Sequence, residues 1–490
     1  MDWEEALEAV RRRRWDGRAI TGVTEDTRRL VPGMVFVARR GTHVDGHDLL
    51  ASARQEGAVL TVGGRSVAPG LPDVVVPDPG AALAHLVAGW HGDPGRRLTL
   101  VGLTGTNGKT TTAHWVAAIL AAAGHAVGTI GTLGYRFAGH TETGEHTTPP
   151  PEVLYGLLAR WLAAGATHVV MEVSAQALSQ GRTAACPFAA AALTSFARDH
   201  GEFFPDQDAY RAAKARLFAD LRGVAVLPHP GADATDHQAF AAAAAGAART
   251  VLYGTEGTVQ GRPGPPPPAG GEALTQSCLD LRLPGEARAQ PVRLRLGGEH
   301  NAGNATCAAA VAWVLGVPPA TLRAALASAP PPAGRAVCLH LAERGAWAVV
   351  DYGHNPAALA ASLRWLRRAV PGRVYVVLGA RGGRDQGKRP LMGAVVAALA
   401  DGAIFTADRP APEDAEAAAA PLLRAARDCG GEAVFVRDRA RAIGRAVGLL
   451  GAGDCLLVSG KGTEPWEGDS PERGALDDAA LLRELGAAPL

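Results

Sequence analysis

The sequence predicts an α/β protein with three domains: a small α/β N-terminal domain, a central domain with a mostly parallel sheet, and a C-terminal Rossmann-like domain. Three observations lead to this prediction. The chain has 490 residues, more than a single hydrophobic core usually holds. From residue 98 onward, apolar strand-like runs alternate with helical runs, which is typical of parallel sheets covered by helices. A glycine-rich turn joins the first of these strands to a helix.

Breaks in the sequence pattern divide the chain. We expect the N-terminal domain at 1–93, because 91–95 (HGDPG) is rich in turn residues. The central domain is expected at 94–330. It ends at a run of three prolines, 330–332, and the third domain follows at 331–490.

The expected elements follow from apolar periodicity, taken in chain order. In the first domain a short helix precedes strands at 33–38 and 73–76. In the second, a strand at 98–103 and a helix at 110–123 precede strands at 168–173, 189–194 and 224–227. In the third, strands at 347–351, 374–378, 403–406 and 454–459 alternate with helices at 357–369 and 391–399. The Pro- and Gly-rich segment 261–271 is expected to be an exposed loop without regular structure.

Composition narrows the class of protein. Net charge is +1 and charged residues make up 20%, so nothing indicates nucleic acid or an anionic membrane as a partner. The six cysteines are scattered, which suits a reducing compartment. The charged first 17 residues lack the apolar segment of a secretion signal, and there is no apolar run of about 20 residues. We expect a cytoplasmic monomer that acts on small-molecule substrates.

A phosphate-binding loop is predicted where the first central strand meets its helix, in the run GLTGTNGKTT at 102–111. Glycines allow backbone N–H groups to close around phosphate oxygens. Lys109 would reach the β- and γ-phosphates, and the Thr110 hydroxyl would bind Mg²⁺. The predicted ATP contacts in this loop are Gly105, Thr106, Asn107, Gly108, Lys109, Thr110 and Thr111.

Other interpretations of this loop stay open at this point. Leu103 stands where the strict pattern has its first glycine, so the match is to a spacing variant. A Gly-rich strand–helix turn that binds nothing is the structural alternative. A phosphate loop by itself would also serve a kinase, a GTPase switch or a motor.

Polar side chains follow two further strands of the predicted sheet. Glu172 ends one strand and His200 comes shortly after another. The carboxyl ends of parallel strands meet at one edge, so both are candidate Mg²⁺ ligands beside Thr110. Each could instead be an ordinary structural group. Lys214, judged by spacing alone, is a solvated lysine on a helix.

These residues together resemble the Mur ligase family, in family order and over nearly the whole chain. Beyond the loop, the similar segments are EDTR at 25–28, GTHVDG at 41–46, TTP at 147–149, EVS at 172–174, QGR at 180–182, GGEHNAGN at 297–304, GR at 334–335, DYGHNP at 351–356, RDQGKRP at 384–390 and GKGTE at 460–464. The resemblance implies a central P-loop ATPase domain, a uridine-nucleotide-binding N-terminal domain and an amino-acid-binding C-terminal domain.

The same resemblance implies roles for individual residues. Lys109, Lys214, Glu172 and His200 would be catalytic, with Thr110, Glu172, His200 and Lys214 around Mg²⁺ and Lys214 carbamylated. Further ATP contacts would be Asn301, Arg335 and Asp351. The nucleotide-sugar peptide would be bound by Glu25, Thr27, His43, Thr147, Thr148, Ser174, Gln180 and Arg182. The incoming amino acid would be bound by Arg384, Asp408, Arg409, Gly460 and Glu464.

The implied activity is an ADP-forming ligase that adds an amino acid to UDP-N-acetylmuramoyl-L-alanyl-D-glutamate through an acyl-phosphate, a step of peptidoglycan precursor synthesis. The segment DRPA at 408–411 has alanine where diaminopimelate-adding members have arginine, so L-lysine or another amino acid is expected rather than meso-diaminopimelate. Two alternatives remain: a related ligase of specialised metabolism or polymer synthesis, similar to cyanophycin synthetase, and a degenerate nucleotide-binding partner subunit.

Overall fold

A computed structural model of the chain describes residues 2–41, 44–230, 234–380, 382–383, 385–408, 413–462, 464, 466–467 and 475–490. Three candidate binding residues, His43, Arg384 and Arg409, lie outside the described residues.

The N-terminal part is built on a four-stranded parallel sheet. Its elements are α1 (Trp3–Arg11), β1 (Arg14–Trp15), β2 (Arg18–Ala19), β3 (Gly22–Thr24), β4 (Met34–Ala38), α2 (Leu50–Gln55), β5 (Leu60–Gly63), β6 (Val74–Val75) and α3 (Pro79–Trp90). The sheet runs β3-β4-β5-β6, and β1 and β2 form a separate hairpin. Asp78 caps α3 by accepting hydrogen bonds from the backbone N–H groups of Gly80 and Ala81, each at 3.0 Å.

The central part carries an eleven-stranded sheet. Its elements are β7 (Thr99–Thr104), α4 (Lys109–Ala122), β8 (Val127–Gly131), β9 (Gly134–Phe137), β10 (His140–Glu142), α5 (Pro151–Ala163), β11 (His168–Glu172), α6 (Ala175–Ser179), β12 (Phe188–Leu193), α7 (Gln207–Ala219), β13 (Val224–Pro228), α8 (Ala234–Ala243), β14 (Arg249–Gly254), β15 (Val259–Pro263), α9 (Gly271–Thr275), β16 (Ser277–Arg282), β17 (Gln290–Leu294), α10 (His300–Val314) and α11 (Pro319–Ser328).

The strand order of this sheet is β10-β9-β8-β11-β7-β12-β13-β14-β15-β16-β17. Its middle, from β8 to β15, is parallel, and both margins are antiparallel. The two central strands, β7 and β11, are buried on both faces between separate apolar clusters, which explains their unbroken apolar runs. Parallel pairing places the ends of β7, β11 and β12 side by side.

The C-terminal part is a second open sheet with helices. Its elements are β18 (Val337–Leu341), β19 (Ala346–Asp351), α12 (Pro356–Ala369), β20 (Val374–Ala380), α13 (Lys388–Leu399), β21 (Gly402–Ala407), α14 (Ala415–Asp428), β22 (Ala433–Phe435), α15 (Arg439–Leu449), β23 (Cys455–Ser459), β24 (Trp466–Glu467), β25 (Ala475–Leu476), α16 (Asp478–Glu484) and β26 (Ala487–Pro489). The order is β22-β21-β20-β23-β19-β18-β26, parallel from β22 to β19.

The α/β class and its parallel sheets confirm the sequence prediction, and the predicted strands match observed ones to within a few residues. The prediction of a structureless loop at 261–271 is wrong at both ends. Gly261 to Pro263 belong to β15, which pairs with β16, and α9 begins at Gly271. A side chain at Gly261 would collide with Thr306 of α10, so the glycine lets this strand lie against the helix. The predicted domain boundaries stay predictions.

Within the described ranges, no helix combines the length and the apolar character needed to cross a bilayer.

Candidate functional site

A cavity of about 800 Å³ lies between the central and C-terminal sheets. Its walls come from the loops after β7, β11 and β12 on one side and from the loops after β19, β20, β21 and β23 on the other. Each loop leaves the carboxyl end of a parallel strand, which is where ligands bind in open α/β sheets.

The phosphate loop between β7 and α4 forms the floor of the cavity. Two of its glycines, Gly105 (φ +148°) and Gly108 (φ +85°), adopt conformations that L side chains rarely take. A side chain at Gly108 would also collide with Asn304 of α10. Lys109 Nζ donates to the carbonyl oxygens of Gly105 at 2.8 Å and Thr106 at 3.2 Å. The Lys109 ammonium is therefore hydrogen-bonded within the loop itself. Burial lowers the pKa of Lys109.

Glu172 lies at the end of β11 and faces the first turn of α4. Its carboxylate accepts hydrogen bonds from the Thr110 hydroxyl at 2.9 Å and from the backbone N–H of Thr132 at 2.9 Å. Arg335, from the C-terminal part, donates through Nη2 to Thr110 Oγ1 at 3.0 Å. The sequence prediction that Thr110 and Glu172 lie together therefore holds in the geometry, and Thr132 is an additional hydroxyl that motif reasoning missed.

Lys214 does not behave as a solvated helix lysine, so the expectation from spacing alone is wrong. Its side chain is 1% exposed, and Nζ donates to the Gly105 carbonyl oxygen at 2.9 Å. The ammonium also lies 4.5 Å from the ring centroid of Tyr210. Burial, together with the charge of Lys109, lowers the pKa of Lys214 well below its ordinary value. Helix α7 presents this lysine inward, to the phosphate loop.

His200 also lines the cavity. Its backbone takes φ +61°, the left-handed conformation, in the turn after β12. Its Nδ1 lies 3.5 Å from Glu202 Oε1, and its ring is 5.7 Å from that of Tyr210. Among the described residues, no three His, Cys, Asp or Glu side chains cluster as a ready-made metal site. The structure thus joins Thr110 to Glu172, while His200 and Lys214 stand apart from that pair.

The donor set beside the loop fits Mg²⁺. Thr110, Thr132 and Glu172 offer only oxygen ligands, which a hard cation prefers, and Mg²⁺ usually keeps further oxygens from water and phosphate. An all-protein cage is not required.

The predicted adenine-side residues lie on α10 and on the loops at the start of the C-terminal part. Asn301 Nδ2 donates to the Gly297 carbonyl oxygen at 2.7 Å, and Asn304 Nδ2 donates to Asn301 Oδ1 at 3.0 Å. Asp351, at the end of β19, accepts from the backbone N–H groups of Ala336 and Gly353. All of the predicted ATP contacts except Gly105 line the cavity.

The residues predicted to bind the nucleotide-sugar peptide divide into two groups. Thr147, Thr148, Ser174 and Arg182 line the cavity. Thr148 Oγ1 donates to the Glu172 carbonyl oxygen at 2.8 Å, and Arg182 Nη1 donates to the Thr148 carbonyl oxygen at 2.6 Å. These bonds tie the loop that carries Thr147 and Thr148 to the end of β11.

Three further candidates of this kind lie away from the cavity walls. Gln180 Oε1 accepts a hydrogen bond from Arg182 Nε at 2.9 Å, so Gln180 contacts Arg182 without lining the cavity itself. Glu25 forms an ion pair with Arg39, an arginine that sequence reasoning missed, and Thr27 begins a short 3₁₀ helix. The positive charge of Arg39 is close enough to Arg182 to add to the lowering of its pKa, which burial mainly causes.

At the far end of the cavity, Asp408, Gly460 and Glu464 line the wall. Asp408 follows β21 and pairs with Lys461, which follows β23, at 3.2 Å between Oδ1 and Nζ. The other two residues predicted for this end, Arg384 and Arg409, are the ones outside the described residues.

The central and C-terminal parts meet through Asp199, a residue whose role motif reasoning did not assign. Lys388 Nζ donates to Asp199 Oδ1 at 2.9 Å, and Asn355 Nδ2 donates to Asp199 Oδ2 at 3.1 Å. Burial alone would raise the pKa of Asp199, but the charges of His354 and Lys388 outweigh it and lower the pKa. The carboxylate therefore stays ionised between the two sheets.

Lysine usage is a signal that could have found two of the missed residues. The chain has 49 lysines and arginines together, and only four are lysines: Lys109, Lys214, Lys388 and Lys461. All four belong to this site: two at the phosphate loop, one at Asp199 and one at Asp408. A compact ammonium and a planar guanidinium are not interchangeable in a tight ion pair. A chain that uses arginine nearly everywhere else has lysine where the site encloses the charge.

Comparison with known proteins places this site in a family. Three family models match: "Mur ligase family, catalytic domain" at 19–90, "Mur ligase middle domain" at 103–312, and "Mur ligase, glutamate ligase domain" at 334–462. A protein of Agrobacterium fabrum named UDP-N-acetylmuramoyl-L-alanyl-D-glutamate–2,6-diaminopimelate ligase is 37% identical over 457 residues, which is 91% of this chain and 88% of that protein.

Solved structures agree. A UDP-N-acetylmuramoyl-L-alanyl-D-glutamate–2,6-diaminopimelate ligase is similar with a TM-score of 0.65 and 26% identity, over 96% of this chain and 95% of that one. The ligase MurF of Thermotoga maritima, solved with ADP, shares the fold with a TM-score of 0.60 and 19% identity, over 90% and 94% of the two chains. The chain therefore belongs to the Mur ligase family, and with it to the ATP-dependent, ADP-forming ligases.

Proposed function

We propose that this protein joins an amino acid to UDP-N-acetylmuramoyl-L-alanyl-D-glutamate through an acyl-phosphate, as a step of peptidoglycan precursor synthesis. One observation carries the proposal: the Thr110 hydroxyl, the Glu172 carboxylate and the Arg335 guanidinium form one hydrogen-bonded group beside Lys109, in a cavity that reaches Asp408. A phosphate site at one end and an amino-acid site at the other suit phosphoryl transfer followed by acyl transfer.

Residues at different places along the cavity would bind different parts of the substrates. Lys109, released from the loop carbonyls, would face the transferred phosphoryl group, and Thr110 with Glu172 would hold Mg²⁺, which supplies positive charge to the phosphate oxygens when bound. Arg335 and Asp351 would hold the nucleotide, with Asn301 on the adenine side. Thr148, Ser174 and Arg182 would orient the acceptor carboxylate. Closure of the two sheets would exclude water from the acyl-phosphate.

Lys214 is proposed to be carbamylated. Its lowered pKa supports this, because the neutral amine is the form that attacks CO₂. The neutral nitrogen forms a bond to the CO₂ carbon and releases one proton to solvent, so the buried amine becomes a carbamate anion. With His200, this carboxylate would provide a second set of oxygen and nitrogen ligands at the flank of the loop. Intact mass measured with and without bicarbonate tests the modification.

The amino acid is proposed to carry a second amino group. Asp408 and Glu464 place two carboxylates at the far end of the cavity, which favours an ammonium there. The relative from Agrobacterium fabrum is named for 2,6-diaminopimelate, and this name supports that substrate. Ala411, in the position where an arginine would pair with a distal carboxylate, supports L-lysine instead. Competition between the two amino acids, with product identified by mass, separates these candidates.

The experiment is ADP release by the purified protein with ATP, Mg²⁺, UDP-N-acetylmuramoyl-L-alanyl-D-glutamate and single amino acids. We expect ADP with at least one diamino acid, and loss of it in Lys109→Ala. Arg222→Ala, which removes an exposed cation from the same part of the chain, is the matched control and should keep activity. ADP formation by Lys109→Ala would refute the loop assignment. ATP consumption only with another acceptor would favour a ligase of specialised metabolism, and no consumption at all would favour a partner subunit.

A further inference from the structure

Lys461 is buried behind the wall of the cavity, and the proposed chemistry does not use it. Its side chain is 1% exposed, among the largest fully buried side chains of the described residues. It lies in the turn after β23, beside Gly460, which does line the cavity. Burying a charged lysine away from water costs free energy unless an opposite charge is buried close to it.

That counter-charge is Asp408. Strands β21 and β23 flank β20, so the turns after them stand on either side of the end of β20. The Lys461 ammonium reaches across this end to Asp408 Oδ1 at 3.2 Å. Asp408 is 12% exposed at its side chain and lines the cavity. The ion pair is thus placed with its cation inside the protein and its anion at the cavity surface.

The backbone beneath the pair leaves room for it. A Cβ on Gly379 of β20 would lie 3.0 Å from Asp408 Cβ and 3.1 Å from Asp408 Cα. The glycine therefore lets Asp408 fold over the strand end toward Lys461. A methyl group there would push the aspartate by a few tenths of an ångström while leaving every charge unchanged.

The second oxygen of Asp408 remains available. Oδ1 faces Lys461, and among the described residues no donor is within hydrogen-bonding distance of Oδ2. A second buried cation, Arg439, makes hydrogen bonds of 2.7 and 2.6 Å to Asp478 and none to Asp408, although the charge of Asp408 also reaches it. Lys461 thus lies against one oxygen of the carboxylate and leaves the other available to a ligand.

We propose that Lys461 is a positioning residue, whose ion pair with Asp408 orients that carboxylate to receive an ammonium of the incoming amino acid. The inference rests on the proposed function and adds to it a residue that never touches the substrate. It also explains the lysine: a guanidinium is larger and planar, and the enclosed space at the end of β20 accommodates a compact ammonium.

The test separates the two half-reactions. Acyl-phosphate formation is followed by trapping with hydroxylamine, a small nucleophile that does not need the amino-acid site. Ligation is followed as KM and kcat for the amino acid. In Lys461→Met we expect hydroxamate formation within about twofold of wild type and a KM for the amino acid raised about tenfold or more, because a charge-assisted hydrogen bond to its ammonium is lost.

Gly379→Ala is the second variant, in case loss of the buried lysine prevents folding. It should raise the same KM by a smaller factor, since it displaces Asp408 without removing a charge. Arg441→Met, which removes an exposed cation from α15, is the matched control and should change neither half-reaction. In the double variant Lys461→Met with Asp408→Asn, the effect on KM should be no larger than that of Asp408→Asn alone, because the two residues act as one unit.

The experiment distinguishes failure of the proposed function from failure of the positioning role of Lys461. If the wild-type protein forms neither hydroxamate nor ADP, the proposed function is wrong. If the wild type ligates and Lys461→Met keeps its KM for the amino acid, the positioning role is wrong. An equal fall in hydroxamate formation and ligation would also overturn it, since that result indicates general damage to the site.

Discussion

Asn107 of the phosphate loop and Asn355 of the C-terminal part exchange hydrogen bonds through their side-chain amides. Asn355 Nδ2 donates to Asn107 Oδ1 at 2.8 Å, and Asn107 Nδ2 donates to Asn355 Oδ1 at 3.2 Å. Asn355 also caps α12 by accepting from the Ala358 N–H at 2.9 Å. The buried Asn355 side chain therefore caps helix α12 of the C-terminal part and also contacts the phosphate loop of the central part.

This arrangement predicts different outcomes for two substitutions of Asn355. Asn355→Asp keeps the cap but loses the donor to Asn107 and buries a second carboxylate beside Asp199, so turnover should fall about tenfold or more, and repulsion between the two carboxylates should lower stability by more than loss of the cap does. Asn355→Ala should lose a similar factor in turnover and also about 1 kcal/mol of stability, through the lost cap. Saturating steady-state kinetics and urea unfolding measure both. Wild-type turnover in Asn355→Asp would mean that the contact between the sheets does not matter for catalysis.

Gly108→Ala should strongly weaken nucleotide binding. The glycine has φ +85°, and a side chain there would collide with Asn304, so the loop would have to open away from α10. We expect the affinity for ADP, measured by calorimetry, to fall by about a hundredfold or more. Gly124→Ala is a useful comparison, because Gly124 also has positive φ (+90°) but has open space around it, so it carries the backbone strain without the collision. Equal affinities for the two variants would contradict the collision argument.

Lys214 should make the protein more sensitive to acid. Its folded-state pKa is lowered, so between that value and the ordinary value of 10.5 the unfolded chain binds more protons than the folded one. The stability of the wild type should therefore rise with pH through this window, by at most about 1.4 kcal/mol per pH unit from this group. Lys214→Met removes the contribution. In CO₂-free buffer the free energy of unfolding of wild type minus variant should grow from pH 7 to pH 9; a constant difference would show that Lys214 is protonated in the folded protein.

The buried pair of Arg439 and Asp478 should stabilise the C-terminal sheet. Both side chains are almost fully buried, and Trp466 Nε1 donates to Asp478 Oδ1 at 2.9 Å. Arg439→Met leaves Asp478 buried without its cation, and we expect a loss of roughly 3–5 kcal/mol. Replacing both, as Arg439→Met with Asp478→Leu, should recover part of that loss, because no unpaired charge remains. Denaturant unfolding gives both values; a double variant less stable than the single one would indicate that the pair is held chiefly by packing.

Much of the fold and part of the site could be predicted from the sequence, because local rules decide them. Unbroken apolar runs predict buried parallel strands, and a glycine–lysine–threonine turn between strand and helix predicts a phosphate-binding loop from local sequence alone. Glu172 and Thr110 were predictable together, since each follows a central strand at the same edge. The segment 261–271 was not, because residues 261–263 become a strand only by pairing with β16, and Gly261 must also fit closely against α10.

Only the tertiary structure determined which groups lie next to each charged side chain of the site. Lys214 looks like any helix lysine by spacing, yet α7 turns it into the core against the Gly105 carbonyl oxygen. Asp199 and Lys388, and likewise Asp408 and Lys461, are separated in sequence and meet only because two sheets are assembled and close on one cavity. Burial and ion pairing depend on which distant segments meet in the folded protein, and a local sequence pattern carries no information about that. The local sequence therefore predicts the phosphate-binding loop, whereas packing decides which charges meet at the end of the cavity that holds Asp408.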